Sequence, residues 1–515
     1  MTTPTPEERA RAAIGRQQTA SAHLVPIRNV CIENFRGIRH ASIALDPHVT
    51  VFFGVNAAGK TTILDAIAIG LGTYVTQFPR AKGVTFAKRG DIRVPWLPRI
   101  RPSKGADAKS TPQEDDDGTE KIGVERPFAR VTIEASSGVS WDATKLRWKG
   151  EPAKKPALGT KQLRQYLEPL ILDGLERGSG FSGGSGDGAA DGTSYGGPSS
   201  AQPIPLVAAY GTERAVVAVP LRKRDFKSEF DRFGALDESL RTNTRFKSVF
   251  EWFVVAEDEE RRERERRKDF DYRHPTLEWV RRAVERAGLR CNNPRIETKP
   301  SLRMLVNFLH QDGSHEALDI TALSDGYRTH FALVVDIARR MVQLNPSDDL
   351  SSLDRGTNSE AVILIDEVDL HLDPTWQATV VKGLREAFPR AQFVLTTHSE
   401  QVIGSVQACS VRKLVAGAGE VLVENVPFAE GATNERILIE LMGAKERAGQ
   451  AADGENTKRL SEYMALVSRG HGATPATKAL RAVLDLALPG DERLHHADLE
   501  MQKADLLRML RGDGG

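Results

Sequence analysis

The chain has 515 residues, of which 40% are hydrophobic and 27% are charged, and its formal net charge at pH 7 is +1. This length allows two to four structural units with cores of their own, and the near-zero charge excludes a global attraction to nucleic acid or membranes. The three cysteines, Cys31, Cys291 and Cys409, form no metal-ligand spacing, and we interpret each as a small buried hydrophobe in a reducing cytosol.

The N-terminal region, residues 1–24, is polar and lacks the apolar core of a signal peptide. It predicts a flexible tail. Elsewhere, no apolar run approaches the ~18 residues that a membrane-spanning helix requires. The sequence therefore predicts a cytoplasmic protein without membrane contact.

A phosphate-binding loop is predicted after three short strands. Residues 25–35 alternate as a strand, residues 43–45 are its expected hairpin partner, and residues 51–53 form an apolar strand. The next residues, G-V-N-A-A-G-K-T-T, match the phosphate-loop pattern and lead into an apolar helix predicted over 63–71. Backbone N–H groups of such a loop surround a phosphate, and the helix N-terminus adds its positive end.

This loop is the first candidate site. Lys60 would reach the β- and γ-phosphates of a nucleotide, and the Thr61 hydroxyl would bind Mg²⁺. The alternative is a Gly-rich turn that matches by chance, which the flanking strand and helix argue against. The candidate nucleotide-binding residues of the loop are Gly54, Asn56, Gly59, Lys60, Thr61 and Thr62.

The middle of the chain contains two breaks in composition. Residues 103–125 are polar and acidic, residues 174–203 are mostly Gly, Ser, Asp and Ala, and both predict mobile insertions. Between them, residues 128–148 alternate like two antiparallel strands, and residues 205–210 form a buried strand.

A charged helical region follows over residues 222–289. Within it, residues 257–268 (E-D-E-E-R-R-E-R-E-R-R-K) mix both signs, which favours a solvated helix face with i,i+4 ion pairs over a DNA-binding stripe. Residues 303–310 predict a return strand.

A second anion site is predicted where residues 323–328 (L-S-D-G-Y-R) precede an apolar helix over 329–344. The hydroxyl of Ser324, the flexible Gly326 and the free N–H groups of a helix start can bind an anion, with an ordinary Ser/Asp helix cap as the alternative. Because the chain already has one phosphate loop, a second anion site makes sense if two subunits hold ATP between them.

Two carboxylates follow a central strand. The five apolar residues 361–365 predict a parallel strand, which ends in Asp366 and Glu367. Asp366 would hold Mg²⁺ through water, and Glu367 would act as the general base on the attacking water. A further strand over 390–395 precedes His398, which would orient the γ-phosphate, although a lone histidine is more often structural. Strands alternating with helices predict a parallel, helix-covered sheet.

The C-terminal pattern changes from residue 432 to short amphipathic helices. It predicts a helical cap or partner-docking module, in which packing explains the apolar residues. Pro475 and the pair Pro489-Gly490 are expected to separate these helices, which are predicted over 434–442, 457–468, 477–488 and 495–510.

Together these motifs resemble the ABC-type ATPase heads of the SMC, RecF and OLD group. The matching segments are residues 33–38 (E-N-F-R-G-I) as the opening strand motif, 54–61 as Walker A, 323–328 as the signature, 363–367 as Walker B, 372–374 as the D-loop, and His398 as the switch histidine. The resemblance implies an α/β fold: an ABC-type ATPase head with a mixed sheet and an antiparallel β part, an inserted helical region and a C-terminal helical module. It also implies ATP and Mg²⁺ as cofactors, Thr61 and Asp366 as metal ligands, and Asp373 as a further nucleotide contact.

A narrower resemblance is to a bacterial ATPase family that includes the ATPase subunit of Septu-type anti-phage systems. It is carried by residues 210–214 (Y-G-T-E-R), 250–253, 323–328, 366–377 and 393–399. The resemblance implies a homo-oligomer, a partner nuclease of the HNH type, a role in phage defence, and DNA contacted through the complex. Asp373 departs from it, since many relatives have His there. No glutamine loop is assignable, and residues 212–214 lie where it would fall.

No nuclease activity is expected in this chain alone, because its tail is helical and contains no His-Asn-His cluster. Two other functions remain open: a DNA repair ATPase of the RecF or SMC kind, and an ATP-sensing assembly scaffold with incidental turnover. The predicted domains are a flexible tail (1–24), an N-terminal ATPase lobe (25–220), a helical insertion with return strands (221–320), a C-terminal ATPase lobe (321–428) and a helical module (429–515).

Overall fold

The computed structural model divides the chain into two compact units, Met1–Ile437 and Leu438–Gly515. None of the helices in the described part of the chain is long and apolar enough to cross a membrane. The structure describes residues 24–87, 90–93, 128–146, 159–176, 181–182, 203–215, 229–241, 246–298, 301–310, 312–346, 359–416, 421–443, 455–469, 471–472, 474–487, 494–499 and 501.

The first unit contains all fifteen described strands and most of the helices. The strands are β1 (Ile27–Phe35), β2 (Ile38–Ala44), β3 (Val49–Phe53), β4 (Phe128–Ala135), β5 (Ser140–Leu146), β6 (Phe181–Ser182), β7 (Leu206–Tyr210), β8 (Glu229–Phe230), β9 (Cys291–Glu297), β10 (Arg303–Leu309), β11 (His315–Asp319), β12 (Ala361–Ile365), β13 (Ala391–Thr396), β14 (Val411–Ala416) and β15 (Val421–Asn425). The helices are α1 (Lys60–Val75), α2 (Lys161–Glu176), α3 (Phe246–Arg267), α4 (Pro275–Arg286), α5 (Asp325–Leu344), α6 (Pro374–Gln377), α7 (Val380–Ala387), α8 (Glu400–Gly404), α9 (Asn434–Arg436), α10 (Glu455–Ser468) and α11 (Pro475–Ala487), of which the last two belong to the second unit.

The central sheet has six strands in the order β15-β14-β3-β13-β12-β7. All neighbours are parallel except the edge pair β14 and β15, so the sheet is mixed, as predicted. Every residue of β3, β7, β12 and β13 is buried, which explains why these strands are nearly continuous apolar runs in the sequence. The register pairs Ile365 with both Tyr210 and Leu395, so the segments that follow these three strands meet at one edge.

Helix α1 lies between this sheet and a four-stranded antiparallel sheet of order β2-β1-β4-β5. The Trp141 indole N–H donates a hydrogen bond of 2.9 Å to the Gly70 oxygen, and the Tyr74 hydroxyl donates one of 2.7 Å to the Pro205 oxygen. Gly70 is required here, because a Cβ would lie 2.7 Å from the Ile133 side chain. The helix therefore joins the two sheets, and the expected α/β head with an antiparallel part is confirmed.

The charged helix α3 is only partly solvated. The expected ion pairs form, for example Arg264 with Glu260 at 2.7 Å and Arg267 with Glu263 at 2.8 Å. Glu260 is nonetheless buried and pairs with Arg281 of α4 at 3.0 Å, and Glu257 is buried as well. The prediction of a solvated face was wrong for these two carboxylates, because α4 and β9 pack against that side of the helix.

The second unit has a small core of its own. Its central residues are Leu460, Tyr463, Val467, Leu484, Leu494 and Ala497. Pro475 lies at the boundary between α10 and α11, as predicted, and is the first residue of α11, where its missing N–H would have no partner within the helix. The helix predicted over 434–442 is divided into α9 and a π-helical turn, Ile437–Leu441. Residues 494–499 are helical, and residues 502–515 lie outside the described part.

Several other expectations are corrected or fall outside the described residues. Leu24 is buried, so it does not belong to the predicted tail, while residues 1–23 lie outside the described part, as do 103–125 and most of 174–203. Cys291 is buried as expected, but Cys31 is half-buried and Cys409 is exposed. The domain boundaries at residues 220, 320 and 428 stay predictions.

Candidate functional site

The phosphate loop connects the end of β3 to α1 at the edge where the parallel strands end. Gly54 is required by a close approach, because a Cβ there would lie 2.6 Å from the backbone oxygen of Leu414 in β14. Gly59 has a φ of +94°, a left-handed conformation that favours glycine, and Ala57 has a φ of +66°. Asn56 is exposed at the tip of this turn. The loop thus has the tight curvature that its two glycines predict.

Lys60 points back across the loop. Its ammonium group donates hydrogen bonds to the carbonyl oxygens of Gly54, at 2.9 Å, and Val55, at 3.3 Å. Burial lowers the pKa of Lys60, while the nearby carboxylates of Asp366 and Glu367 favour its charged form. The positive charge therefore lies inside the curve of the loop, where a phosphate group would add to these interactions.

Asp366 is buried at the end of β12 and joins two other strand ends. Its Oδ2 accepts a hydrogen bond of 2.9 Å from the Thr61 hydroxyl, and its Oδ1 accepts one of 2.5 Å from the Thr396 hydroxyl. Its backbone N–H donates to the Tyr210 oxygen at 2.9 Å. The hydroxyl and the carboxylate expected to bind Mg²⁺, which are 305 positions apart in sequence, are thus in direct contact.

Glu367 has an unusual backbone conformation. Its φ is +47°, which is uncommon for a residue other than glycine. Its N–H donates a hydrogen bond of 2.8 Å to Thr396 Oγ1, and its carbonyl oxygen accepts one of 2.5 Å from Arg214 Nη2. Glu367 is half-buried, so it is partly accessible to solvent.

The oxygen atoms of Thr61 and Asp366 fit Mg²⁺, which takes hard oxygen ligands and is held in nucleotide sites by one or two protein groups together with phosphate oxygens. Among the described residues, no group of three or more His, Cys, Asp or Glu could hold a metal ion. The contact between the Thr61 hydroxyl and the Asp366 carboxylate makes this pair a candidate site for magnesium.

The signature segment lies at the start of α5. Ser324 occupies the N-cap position and is exposed, but its side chain makes no capping hydrogen bond. Gly326 is buried against the D-loop segment, where a Cβ would lie 2.3 Å from the His371 oxygen. The Tyr327 ring lies 3.9 Å from the Trp376 ring, measured between centroids. The signature and the D-loop of one chain are therefore packed together.

Asp373 caps the short helix α6, since its carboxylate accepts hydrogen bonds from the N–H groups of Thr375 at 3.0 Å and Trp376 at 3.2 Å. Farther along α6, the Gln377 amide donates to the Leu372 oxygen at 2.8 Å and accepts a hydrogen bond of 2.7 Å from the Ser399 hydroxyl. His398, next to Ser399, is half-buried just after β13. Gln377 thus connects the D-loop to the segment that contains His398.

Comparisons with known proteins agree with this geometry. A family model described as an AAA domain matches residues 29–270, and a second AAA domain model matches residues 209–404. The chain is 26% identical to the "Retron Ec83 probable ATPase" of Escherichia coli over 93% of this chain and 86% of that protein. It is 41% identical to Septu protein PtuA of Bacillus mycoides, over 20% of this chain and 12% of PtuA. A match to the DNA replication and repair protein RecF of Roseiflexus castenholzii has 38% identity over 14% of this chain and 19% of RecF.

Two AAA domain models thus match this chain between residues 29 and 404, and the chain is similar over 93% of its length to a retron ATPase. The motifs predicted for an ABC-type ATPase head fall into two clusters. The first contains Gly54, Gly59, Lys60, Thr61, Asp366 and Glu367 at the edge of the central sheet. The second contains the signature, the D-loop and the His398 segment. No hydrogen bond of the described residues joins the side chains of Ser324 or Asp373 to the phosphate loop, and the nucleotide contacts of Ser324, Gly326, Asp373, Asn56, Thr62 and His398 stay predictions.

Two residues that contact the site, and a third that is joined to it through Tyr210, were not assigned a role from the sequence. The Thr396 hydroxyl forms hydrogen bonds with both the Asp366 carboxylate and the Glu367 N–H. The Arg214 guanidinium donates hydrogen bonds to the backbone oxygens of Asp366 and Glu367. Asp336, in the middle of α5, accepts a hydrogen bond of 2.9 Å from the Tyr210 hydroxyl. The sequence offered one signal, the Y-G-T-E-R segment after β7 at the position of the glutamine loop.

Proposed function

We propose that this chain is a cytoplasmic ATPase that binds and hydrolyses ATP between two subunits, and that its nucleotide state regulates a partner nuclease of the HNH type in anti-phage defence. The observation that carries the ATPase part is the contact of Thr61 with Asp366, with Lys60 and Glu367 at the same edge. This set of groups combines phosphate binding, a metal site and a general base.

In the proposed reaction, Lys60 and the N–H groups of the loop bind the β- and γ-phosphates. Glu367 accepts a proton from the attacking water as its oxygen bonds to the γ-phosphorus and the bond to the β,γ-bridging oxygen breaks. Thr61 and Asp366 would hold Mg²⁺, which would supply positive charge to neutralise the phosphate oxygens. His398 orients the γ-phosphate.

Two observations support a site that two subunits complete. Ser324 lies at a helix start, is exposed, and does not use its hydroxyl as a cap, which differs from an ordinary N-cap serine. The packing of Gly326 against the D-loop keeps this helix start in the second cluster of its own chain. We therefore propose that Ser324 of one subunit contacts the γ-phosphate bound by the phosphate loop of the other.

The defence role rests on the similarity to Septu protein PtuA and to a retron ATPase. The test is to identify the neighbouring genes and to purify their products together with this chain. Stable co-purification with a short HNH protein would support the proposal. A neighbour with no nuclease motif, combined with ATPase activity that duplex DNA stimulates, would refute it and favour the repair function that the RecF match suggests.

The nucleotide site has a separate test. Lys60→Ala should abolish ATP binding in equilibrium dialysis, because it removes the cation that the loop surrounds. Lys382→Ala is the control, since Lys382 is an exposed lysine of α7 whose side chain is 76% accessible. ATP affinity of Lys60→Ala within a factor of three of wild type would sink the site assignment. Tight binding by the wild-type protein with hydrolysis too slow to account for signalling would instead favour the scaffold function.

A further inference from the structure

Arg214 is a buried arginine whose hydrogen bonds go to backbone oxygens around the Walker B carboxylates. It lies in the 3₁₀ turn Thr212–Ala215, directly after β7, and is 6% exposed. Its Nη1 donates to the oxygens of Gly211, at 2.8 Å, and Asp366, at 2.5 Å, and its Nη2 donates to the oxygen of Glu367 at 2.5 Å. One guanidinium group thus holds two consecutive peptide groups of the Walker B segment.

This arrangement suits arginine in particular. A guanidinium has donors in a fixed planar fork that can reach two neighbouring acceptors, whereas the lysine ammonium is a single point on a flexible chain. Burial lowers the pKa of Arg214 to about 10, and the carboxylates of Asp366, Asp369 and Glu367 favour its charged form. Arg214 therefore remains positively charged at neutral pH although it is almost fully buried.

The contact is directed at the one residue of the Walker B segment whose backbone conformation needs support. Glu367 has a φ of +47°, which costs free energy for any residue with a Cβ. Its N–H is held by Thr396 Oγ1 on one side, and its carbonyl is held by Arg214 on the other. Since the direction of the Glu367 side chain follows from this backbone conformation, both contacts determine where the carboxylate points.

We propose that Arg214 is a positioning residue for ATP hydrolysis, which fixes the Glu367 backbone and thereby aims its carboxylate at the attacking water. This inference rests on the proposed function of Glu367 as the general base. Arg214 touches neither the nucleotide nor the reacting atoms in this account. Its loss should therefore lower kcat and leave ATP affinity unchanged.

The test compares Arg214→Lys and Arg214→Gln with wild type. Because small displacements of a catalytic group can cost about 100-fold in rate, we expect kcat to fall by about 10- to 100-fold with an ATP dissociation constant within a factor of three. Turnover is calculated per nucleotide site, titrated with a non-hydrolysable ATP analogue, so that unfolded protein does not count as lost catalysis. Arg232→Lys is the matched control, because Arg232 also donates to a backbone oxygen, that of Leu344, at 2.6 Å. It should keep the wild-type kcat.

A double-mutant comparison separates positioning from a general structural role. In the Glu367→Gln background the carboxylate is already absent, so adding Arg214→Lys should change the single-turnover rate by less than a factor of two. If Arg214→Lys lowers the rate in the Glu367→Gln background by as large a factor as it does in wild type, the inference is overturned. An unchanged kcat in both Arg214 variants would also overturn it. If the wild-type protein does not hydrolyse ATP, or if Glu367→Gln is fully active, the proposed function itself fails, which is a different result.

Discussion

The Tyr210 hydroxyl donates a hydrogen bond of 2.9 Å to the carboxylate of Asp336, so the last residue of β7 is joined to the middle of the signature helix α5. The same carboxylate accepts hydrogen bonds from Arg339, at 2.6 Å, and from Arg340, at 2.8 Å. Arg340 also donates a hydrogen bond of 2.6 Å to the backbone oxygen of Ala235. The backbone carbonyl oxygen of Tyr210 also accepts a hydrogen bond from the Asp366 N–H. This buried network therefore connects α5 to the end of the Walker B strand.

Asp336 is the centre of this network, and its neutralisation should destabilise the first unit strongly. Burial alone would raise the pKa of Asp336, but Arg340 and Arg339 lower it below its ordinary value, so the group is ionised. Asp336→Asn would leave two buried guanidinium groups without their counter-charge, and we expect a loss of about 3–5 kcal/mol in the free energy of unfolding. Urea denaturation measures this loss.

The control for Asp336 is Glu386→Gln. Glu386 pairs with Lys382 at 3.8 Å, and both side chains are more than half exposed, 56% and 76%. Exposed pairs contribute about 0–1 kcal/mol, so this variant should unfold almost as the wild type does. A loss below about 1 kcal/mol in Asp336→Asn would mean that the network does not hold α5 in place.

Gly326 should tolerate no side chain, for a reason of packing within one subunit. A Cβ at this position would lie 2.3 Å from the His371 oxygen, so Gly326→Ala must displace the D-loop that follows Walker B. We expect kcat for ATP hydrolysis to fall by about 10-fold or more, because the second cluster would no longer be positioned. In Gly37→Ala, the control, no atom lies within 4 Å of the new Cβ, and activity should be unchanged. Equal activity of both variants would contradict the close packing.

Glu257 should give the stability of the first unit a pH dependence. Burial raises the pKa of Glu257 from 4.5 to about 7, although the Ile296 N–H and the charges of Arg281 and Arg261 oppose this shift. Between these two pH values the unfolded chain has lost the Glu257 proton and the folded chain still holds it. The contribution of Glu257 to stability therefore falls as pH rises through this window.

Glu257→Gln tests this sign, since glutamine has no proton to lose and its oxygen can still accept from Ile296. The melting temperature of Glu257→Gln minus that of wild type should increase from pH 5 to pH 7.5. Glu265→Gln is the control on the same helix, because the Glu265 side chain is exposed. The melting temperature of Glu265→Gln minus that of wild type should not increase in this way. A constant difference for Glu257→Gln across the window would show that the buried carboxyl does not titrate there.

The strands and helices that depend on local hydrophobic pattern could be predicted from the sequence. Buried parallel strands are short apolar runs, so the strand predicted over 361–365 coincides with β12, and that over 390–395 is shifted from β13 by one residue. β9 was not predicted as a strand, because its sequence C-N-N-P-R-I-E is polar and contains a proline. Helix α5 was predicted as an apolar helix, yet its polar residues Asp336, Arg339, Arg340 and Gln343 are buried as well.

The contacts that the sequence could not predict join residues far apart in the chain. Arg214 and Asp366 are 152 positions apart, and Tyr210 and Asp336 are 126 positions apart. Motif spacing identifies groups that bind a nucleotide, because their chemistry fixes the residue types. It does not identify the residues that hold those groups by their backbone, since an arginine that donates to carbonyl oxygens has no characteristic neighbours in sequence.

The central claim is that Glu367 is the general base of an ATP-hydrolysing site, and Glu367→Gln tests it most directly. The measurement is steady-state phosphate release, together with the nucleotide that remains bound after gel filtration. General-base catalysis contributes about 10²- to 10⁴-fold, so kcat should fall by at least about 100-fold while the variant retains unhydrolysed ATP. Phosphate release within a factor of three of wild type would contradict the account.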